Sequence, residues 1–375
     1  MIRWRCGCSP IRVRSASLTG LVRGRAFAGQ VGAGMIPRVE AGGDQGPGRA
    51  LRLEGELQIG VLVNPRSGTN GQDLKRYVEI ADRHKRVTCH QVVTPEDVSA
   101  AVHKLAAEPV DVVAVSGGDG TVQAVLTALF HQKPFEILPP LALLAGGTTS
   151  MTAADVGLKG NPVRAVERLL AWAEGIGFTA RTLRRAVLRV DCGPHRTPLY
   201  GTFFNAAGIV QVTRARWDAR RRARSALMRG GVGTAVIVGR YLLGLILGHR
   251  VVDPTPIGIR LDGEPLGNRD YLALFITTLV RFKFGMRPYW GEGPKPLKLT
   301  AIAHEPKHLF LAAPAFFRGK RSRYLQPEFG YLSRNINGAV LQLEGECALD
   351  GQILMRDPRD ALGVTYGGEV DFLQL

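Results

Sequence analysis

Three glycine-bearing loops, Asn64-Pro65-Arg66-Ser67-Gly68, Gly117-Gly118-Asp119-Gly120-Thr121 and Gly146-Gly147-Thr148-Thr149-Ser150, each follow a short apolar run. The runs at 57–63, 87–93, 110–115 and 141–144 are rich in β-branched and aliphatic residues, as buried strands require. Helical spacing predicts helices over 72–84, 95–107, 121–130 and 163–173, the second with Pro95 in its first turn. Short strands alternating with such helices form βαβ units around a parallel sheet. Ligands of these sheets bind beyond the carboxyl ends of the strands, where all three loops fall.

The residue types suit phosphate. Glycines at a strand-to-helix turn let backbone N–H groups approach an anion, and the helix N-terminus adds a favourable dipole. Asp119 in such a cradle can hold a metal or accept a proton, and Thr121 can donate or accept a hydrogen bond. Asn64, Ser67, Thr69 and Thr148 offer further polar groups at helix starts. Taken singly, the first and third loops are equally well read as ordinary capped βα turns. Their order around the second, about 50 and about 30 residues apart, favours phosphate chemistry.

At 375 residues the chain suits two domains. Its net charge of +17 rests on 39 arginines against ten lysines and favours anionic partners. Nucleic acid is disfavoured, because no reading module is recognisable and aromatic residues make up only 7%. Five cysteines without a CxxC pair suggest neither a disulfide framework nor a zinc site, and a reducing compartment follows. Residues 1–50 hold eight arginines and no acid before Glu40, and are read as a basic extension outside the fold. That composition is compatible with a transit peptide, a disordered tail, or upstream sequence ahead of a start at Met35. Oligomeric state has no signature in the sequence.

Beyond residue 180 the pattern changes. Segments 186–191, 201–206, 257–261, 271–277, 297–303, 309–312 and 340–343 read as strands between turns, predicting an antiparallel second domain, a sandwich or barrel. Residues 214–229 carry seven arginines and one acid, Asp218, ahead of an apolar stretch at 231–248 that Arg240 interrupts. A transmembrane helix is disfavoured by that arginine. Two readings remain: a helix packed on the second domain, or a membrane-surface helix whose Arg220, Arg221, Arg222 and Arg224 meet anionic head groups. His304-Glu305-Pro306-Lys307-His308 matches HExxH, but that zinc motif needs a continuous helix, which Pro306 opposes.

The three loops together resemble the diacylglycerol kinase catalytic-domain family, which includes sphingosine kinases and small bacterial lipid kinases. The matching residues are Asn64 to Gly68, Thr94 after the second strand, Gly117 to Thr121, Gly147-Thr148, and Asp350-Gly351-Gln352 where the family has Asp-Gly-Glu. The resemblance runs from about residue 57 to the end. It implies a phosphofructokinase-like parallel α/β nucleotide-binding domain over 51–180, and an antiparallel β-sandwich lipid-substrate domain over 181–354. Residues 355–375 would return to the first domain. It also implies an ATP- and Mg-dependent kinase acting on a lipid hydroxyl, cytoplasmic and peripheral at the membrane. Asn64, Pro65, Ser67, Gly68, Thr94, Gly117, Gly118, Asp119, Gly120, Thr121, Gly147 and Thr148 would then hold ATP. Asp119 would orient metal-bound phosphates, and in some relatives this aspartate is the proposed base, whereas small bacterial enzymes use the Glu of Asp-Gly-Glu.

Three departures from the family pattern bear on this. Gln352 replaces the glutamate, and an amide accepts no proton at useful pH, so Asp350 or Asp119 takes over or the protein is catalytically weak. Ser150 and Met151 stand where the third loop usually has Asn-Asp. The second-domain segment at 291–302 offers Glu292 but no aspartate, so a metal site there is not carried over. The alternatives are a silent member that binds nucleotide or lipid, and a soluble NAD-kinase-like enzyme.

Overall fold

Strands covered on both faces need apolar residues at every position, and three runs of this chain supply them. The computed structural model describes residues 50–51, 57–68, 70–147, 150–176, 180–222 and 252–375. After a two-residue strand β1 (Ala50–Leu51), the chain forms β2 (Ile59–Val63), α1 (Asn70–Arg83), β3 (Val87–Gln91) and α2 (Pro95–Ala106). There follow β4 (Val112–Gly117), α3 (Asp119–Thr127), β5 (Leu141–Ala145), α4 (Met151–Val156) and α5 (Pro162–Ala173). A π-helical turn, Ala128–Gln132, extends α3.

Strands β3, β2, β4 and β5 lie side by side in that order, all parallel. Alternate side chains feed two cores. Val61, Val63, Val112, Ala114 and Leu144 meet Tyr77 of α1 and the apolar face of α5. Leu62, Val113, Val115 and Leu143 meet α2 and α3. Each such aliphatic side chain contributes roughly 1.5–3 kcal/mol on burial. The chain leaves β2 for β3 on one side and returns to β4 on the other, so the sheet order reverses between β2 and β4. The crevice above this reversal is where an open α/β sheet binds its ligand.

The second body comprises β6 (Ala180–Asp191), β7 (Leu199–Gly201), β8 (Phe203–Ala207), α6 (Gly208–Arg222), β9 (Thr255–Leu261), β10 (Glu264–Thr277) and β11 (Leu297–Ala303). It continues with α7 (Leu309–Arg318), β12 (Tyr331–Ile336), β13 (Gly338–Leu343), β14 (Cys347–Leu349), β15 (Gln352–Ile353) and β16 (Leu362–Gln374). Strand β10 serves two antiparallel sheets: its first half pairs with β9, and its second half lies between β8 and β11. The two inner faces close on one core containing Leu188, Phe204, Ile259, Leu274, Leu299 and Leu341. This is the sandwich expected. The expected strand at 309–312 is instead the start of α7, since four apolar residues carry no period and the helix continues through Pro314 to Arg318.

Strand β16 ties the bodies together. It pairs antiparallel with β13 through Gly338↔Thr365 to Leu341↔Leu362, runs along β6, and meets β5 in parallel at Phe372↔Leu141. Strand β6 also pairs with β1. No described helix is long and apolar enough to cross a membrane. Arg220, Arg221 and Arg222 end α6, but their side chains, Arg224 and the apolar stretch at 231–248 lie outside the described residues.

Candidate active site

The loops after β2 and β4 are stitched together at the sheet reversal. Asn64 N donates to Ser116 O (2.9 Å), and its Nδ2 donates to Thr121 Oγ1 (2.9 Å). Buried Asn70 at the start of α1 donates from Nδ2 to both Asn64 O (3.1 Å) and Ser116 O (3.0 Å). Ser116 Oγ donates to Asn70 Oδ1 (3.2 Å) and takes a hydrogen bond from Tyr77 (2.8 Å), whose burial pushes its pKa up to about 12. Ser67 Oγ accepts from Gly118 N (3.2 Å). These bonds fix both loops, so a ligand meets a preorganised surface.

The third loop presses on the other two. Gly68 has φ +53°, and a Cβ there would lie 2.1 Å from Gly146 O. A Cβ on Gly147 would lie 2.5 Å from Gly118 Cα. Only glycine allows this approach, and it leaves backbone rather than side chain facing the cleft. Ser150 closes the turn: its Oγ donates to Gly147 O (2.8 Å) and accepts from Gly147 N (3.1 Å), with φ +41°, the left-handed region. The serine thus ties the turn back to Gly147 through both of these bonds. Met151 begins α4 and lines the cleft. Thr148 and Thr149 lie outside the described residues.

Gly118 is the N-cap of α3 and Asp119 its first residue, so this carboxylate sits at a helix N-terminus. Asp119 Oδ1 accepts from Thr152 N (3.1 Å) at the start of α4. Thr152 Oγ1 meets Thr202 Oγ1 (2.9 Å), and Thr202 Oγ1 donates to Asp350 Oδ1 (2.9 Å). Asp350 also accepts from Thr202 N (2.9 Å) and Phe203 N (3.0 Å). Two threonines that nothing in the sequence singled out therefore link Asp119 to Asp350, Thr152 through its backbone N on one side and its hydroxyl on the other. Burial, and then the charge of Asp119, push the Asp350 pKa up to about 7 against the pull of these donors. With both oxygens bonded at the entry to β8, to Thr202 and Phe203, Asp350 has the geometry of a brace.

Asp350 and Gly351 both have positive φ, +47° and +80°, between the paired residues Leu349 and Gln352. This is the Asp-Gly turn that a two-residue hairpin prefers. The turn presents Gln352 to the start of α3, where a Cβ on Gly120 would lie 2.5 Å from Gln352 Nε2. Thr94 is the N-cap of α2, accepting from Asp97 N (3.2 Å), while Asp97 Oδ2 accepts from Thr94 N (2.9 Å). The backbone N–H groups of Thr94 and Val93, both donating to that carboxyl, hold it below its usual range.

The result is a cleft of about 1100 Å³ whose walls include Asn64, Ser67, Thr94, Gly118, Asp119, Gly147, Asp350 and Gln352. Arg66 and Arg196 add positive charge at its edge. Among the described residues no three His, Cys, Asp or Glu side chains gather as a metal cage. Among the described residues lining the cleft, the carboxylates are Glu96, Asp119 and Asp350, and Asp119 is the one at the α3 N-terminus. Glu292 is paired with Arg321 (2.8 Å), and neither lines the cleft. His304 follows β11 and His308 precedes α7 with φ +57°, so the HExxH residues share no helix.

A parallel α/β body with a backbone-lined crevice is thus closed by a β-sandwich. Residues 58–175 match the sequence model of the diacylglycerol kinase catalytic domain. A candidate diacylglycerol kinase from Bacillus anthracis shares the fold, with a TM-score of 0.56 and 16% identity over 86% of this chain and 96% of that one. A second Bacillus anthracis structure, of a diacylglycerol kinase, gives a TM-score of 0.52 and 16% identity over 84% and 96%. At such identity the likeness is one of fold. No curated protein matches the sequence significantly.

Proposed function

We propose that this protein is an ATP-dependent lipid kinase that phosphorylates a lipid hydroxyl, diacylglycerol-like or sphingoid, at the face of a membrane. The carrying observation is the backbone-lined floor at the sheet reversal, with Asp119 at the α3 N-terminus and Gln352 held against Gly120. ATP, when bound with magnesium, supplies the γ-phosphoryl group and the cation that neutralises it. The chain's part is positioning and charge, which is most of what phosphoryl transfer requires. Backbone N–H groups of the loops at 66–68, 117–121 and 146–147 would hold phosphate oxygens, with Arg66 and Arg196 adding charge. Asp119 would hold the cation or take the acceptor's proton. Thr152 fixes one oxygen of Asp119, and the Thr202–Asp350 pair fixes Thr152 in turn.

Gln352 supports one second reading, a family member that binds nucleotide and transfers little, because its amide cannot take a proton. Transfer of labelled phosphate from ATP to a mixed lipid extract, and to NAD, separates the two. The kinase reading expects a labelled lipid that disappears in Asp119→Asn. ATP binding with no labelled lipid would support the silent reading, and labelled NAD would replace the lipid acceptor.

A further inference from the structure

Apolar side chains run from the cleft to the surface of the sandwich. Phe203 and Met151 line the cleft. Phe203 meets Phe282 edge-on at 5.2 Å and Phe275 at 5.7 Å, and Met286 and Phe316 pack against the same cluster. Phe282 begins a tight loop closed by Phe282 N to Met286 O (2.7 Å). At its tip Phe284 is 85% exposed with φ +62°. A bulky aromatic held in the left-handed region and turned to water is costly twice over, and such cost is characteristic of functional positions.

Helix α7 adjoins this loop: Arg287 N donates to Phe317 O (2.9 Å), and Gly319 at the helix end abuts Arg287 O. Its sequence, LFLAAPAFFR, is apolar on every side, a composition expected of a covered helix. Yet Phe310 is 70% and Leu311 51% exposed. Segments 281–287 and 305–323 hold eight lysines and arginines against one carboxylate, Glu305. Arg281 pairs with Asp155 (3.7 Å) and Arg321 with Glu292 (2.8 Å), which leaves the balance strongly positive.

We infer that the Phe284 loop and α7 form the surface by which this protein docks on an anionic lipid bilayer, Phe284, Phe310 and Leu311 entering the interface beneath a cationic rim. The inference rests on the lipid-acceptor reading above and adds to it the face that meets the membrane. A nucleic acid or acidic protein would satisfy the cations but leave the phenylalanines in water; a bilayer takes both. A second copy meeting the same face would set one cationic rim against another.

The test uses the full chain and vesicles of phosphatidylcholine, with and without equimolar phosphatidylglycerol. The double substitution Phe284→Ser, Phe310→Ser lowers partition onto the anionic vesicles about tenfold or more, at an unchanged thermal midpoint because both side chains are exposed. With the four native tryptophans replaced by phenylalanine, Phe284→Trp emission shifts to the blue on adding anionic vesicles and stays put with phosphatidylcholine alone. Absence of wild-type partition, or partition of the double variant within about twofold of wild type, overturns the inference. So does Phe284→Trp emission already blue-shifted without vesicles, which would mean that the chain itself or a second copy covers the face. If vesicle binding depends on these phenylalanines while no lipid is phosphorylated even in detergent, the docking surface stands and the lipid-kinase reading falls.

Discussion

Gly118 and Gly147 face each other across the floor of the cleft, and they differ in what a methyl group would meet. A Cβ on Gly118 finds only ordinary contacts, 3.7 Å to Gly147 Cα and 3.9 Å to Ser67 Oγ, at a φ of −91° that alanine adopts freely. A Cβ on Gly147 collides with backbone. Gly118→Ala should therefore keep the thermal midpoint and lose about tenfold or more in ATP affinity by calorimetry, because the methyl occupies space meant for phosphate. Gly147→Ala should lose both. Gln352 sets a second prediction. Gln352→Glu restores a proton acceptor beside Gly120 and should raise kcat for lipid transfer about tenfold or more, in the range of general-base effects. An unchanged kcat would mean that this hairpin does not face the acceptor.

At the scale of elements, the β14–β15 hairpin, β8 and α4 depend on the Asp350–Thr202–Thr152 chain. Thr202→Val removes a buried donor and should destabilise the protein by about 1–3 kcal/mol in urea unfolding. Asp350 adds a pH signature. Its pKa is about 7 when folded against 3.8 ordinarily, so between those values the native state carries a proton the unfolded chain has released. Stability from this group is greatest below the lower value and falls as pH rises through the window, with a slope of at most about 1.4 kcal/mol per pH unit. Asp350→Asn should flatten that slope in urea titrations from pH 4 to 7; an unaltered slope contradicts the assignment. The parallel half of the fold was legible because β2, β4 and β5 are continuous apolar runs ending in glycine loops. The sandwich was less so. The exposed half of β10, Glu264–Asp270, shows no alternation, Arg181, Arg184 and Arg185 interrupt the pattern of β6, and the first four apolar residues of α7 read as a strand. Asn70, Thr152 and Thr202 were invisible for another reason: isolated polar residues gain meaning only from the partners the fold brings them.

Across the whole molecule, β16 is the shared member. Leu362 and Val364 enter the sandwich core, Phe372 the α2–α3 core, and Leu373 the α1–α5 core. Phe372 is fully buried, so Phe372→Ala should cost about 3–5 kcal/mol. Both bodies should still unfold in one transition, reported by Trp172 in the first and Trp290 in the second in single-tryptophan variants. Two separated transitions would show that the bodies are energetically independent. The joint matters for function, because the cleft takes its floor from one body and Asp350 and Gln352 from the other. The account stands or falls on phosphoryl transfer: labelled ATP incubated with wild-type protein and a mixed lipid extract should yield a labelled lipid, and Asp119→Asn, folded to the same thermal midpoint, should yield none. Label in lipid undiminished by Asp119→Asn, or ATP bound by wild type with no lipid labelled, would contradict it.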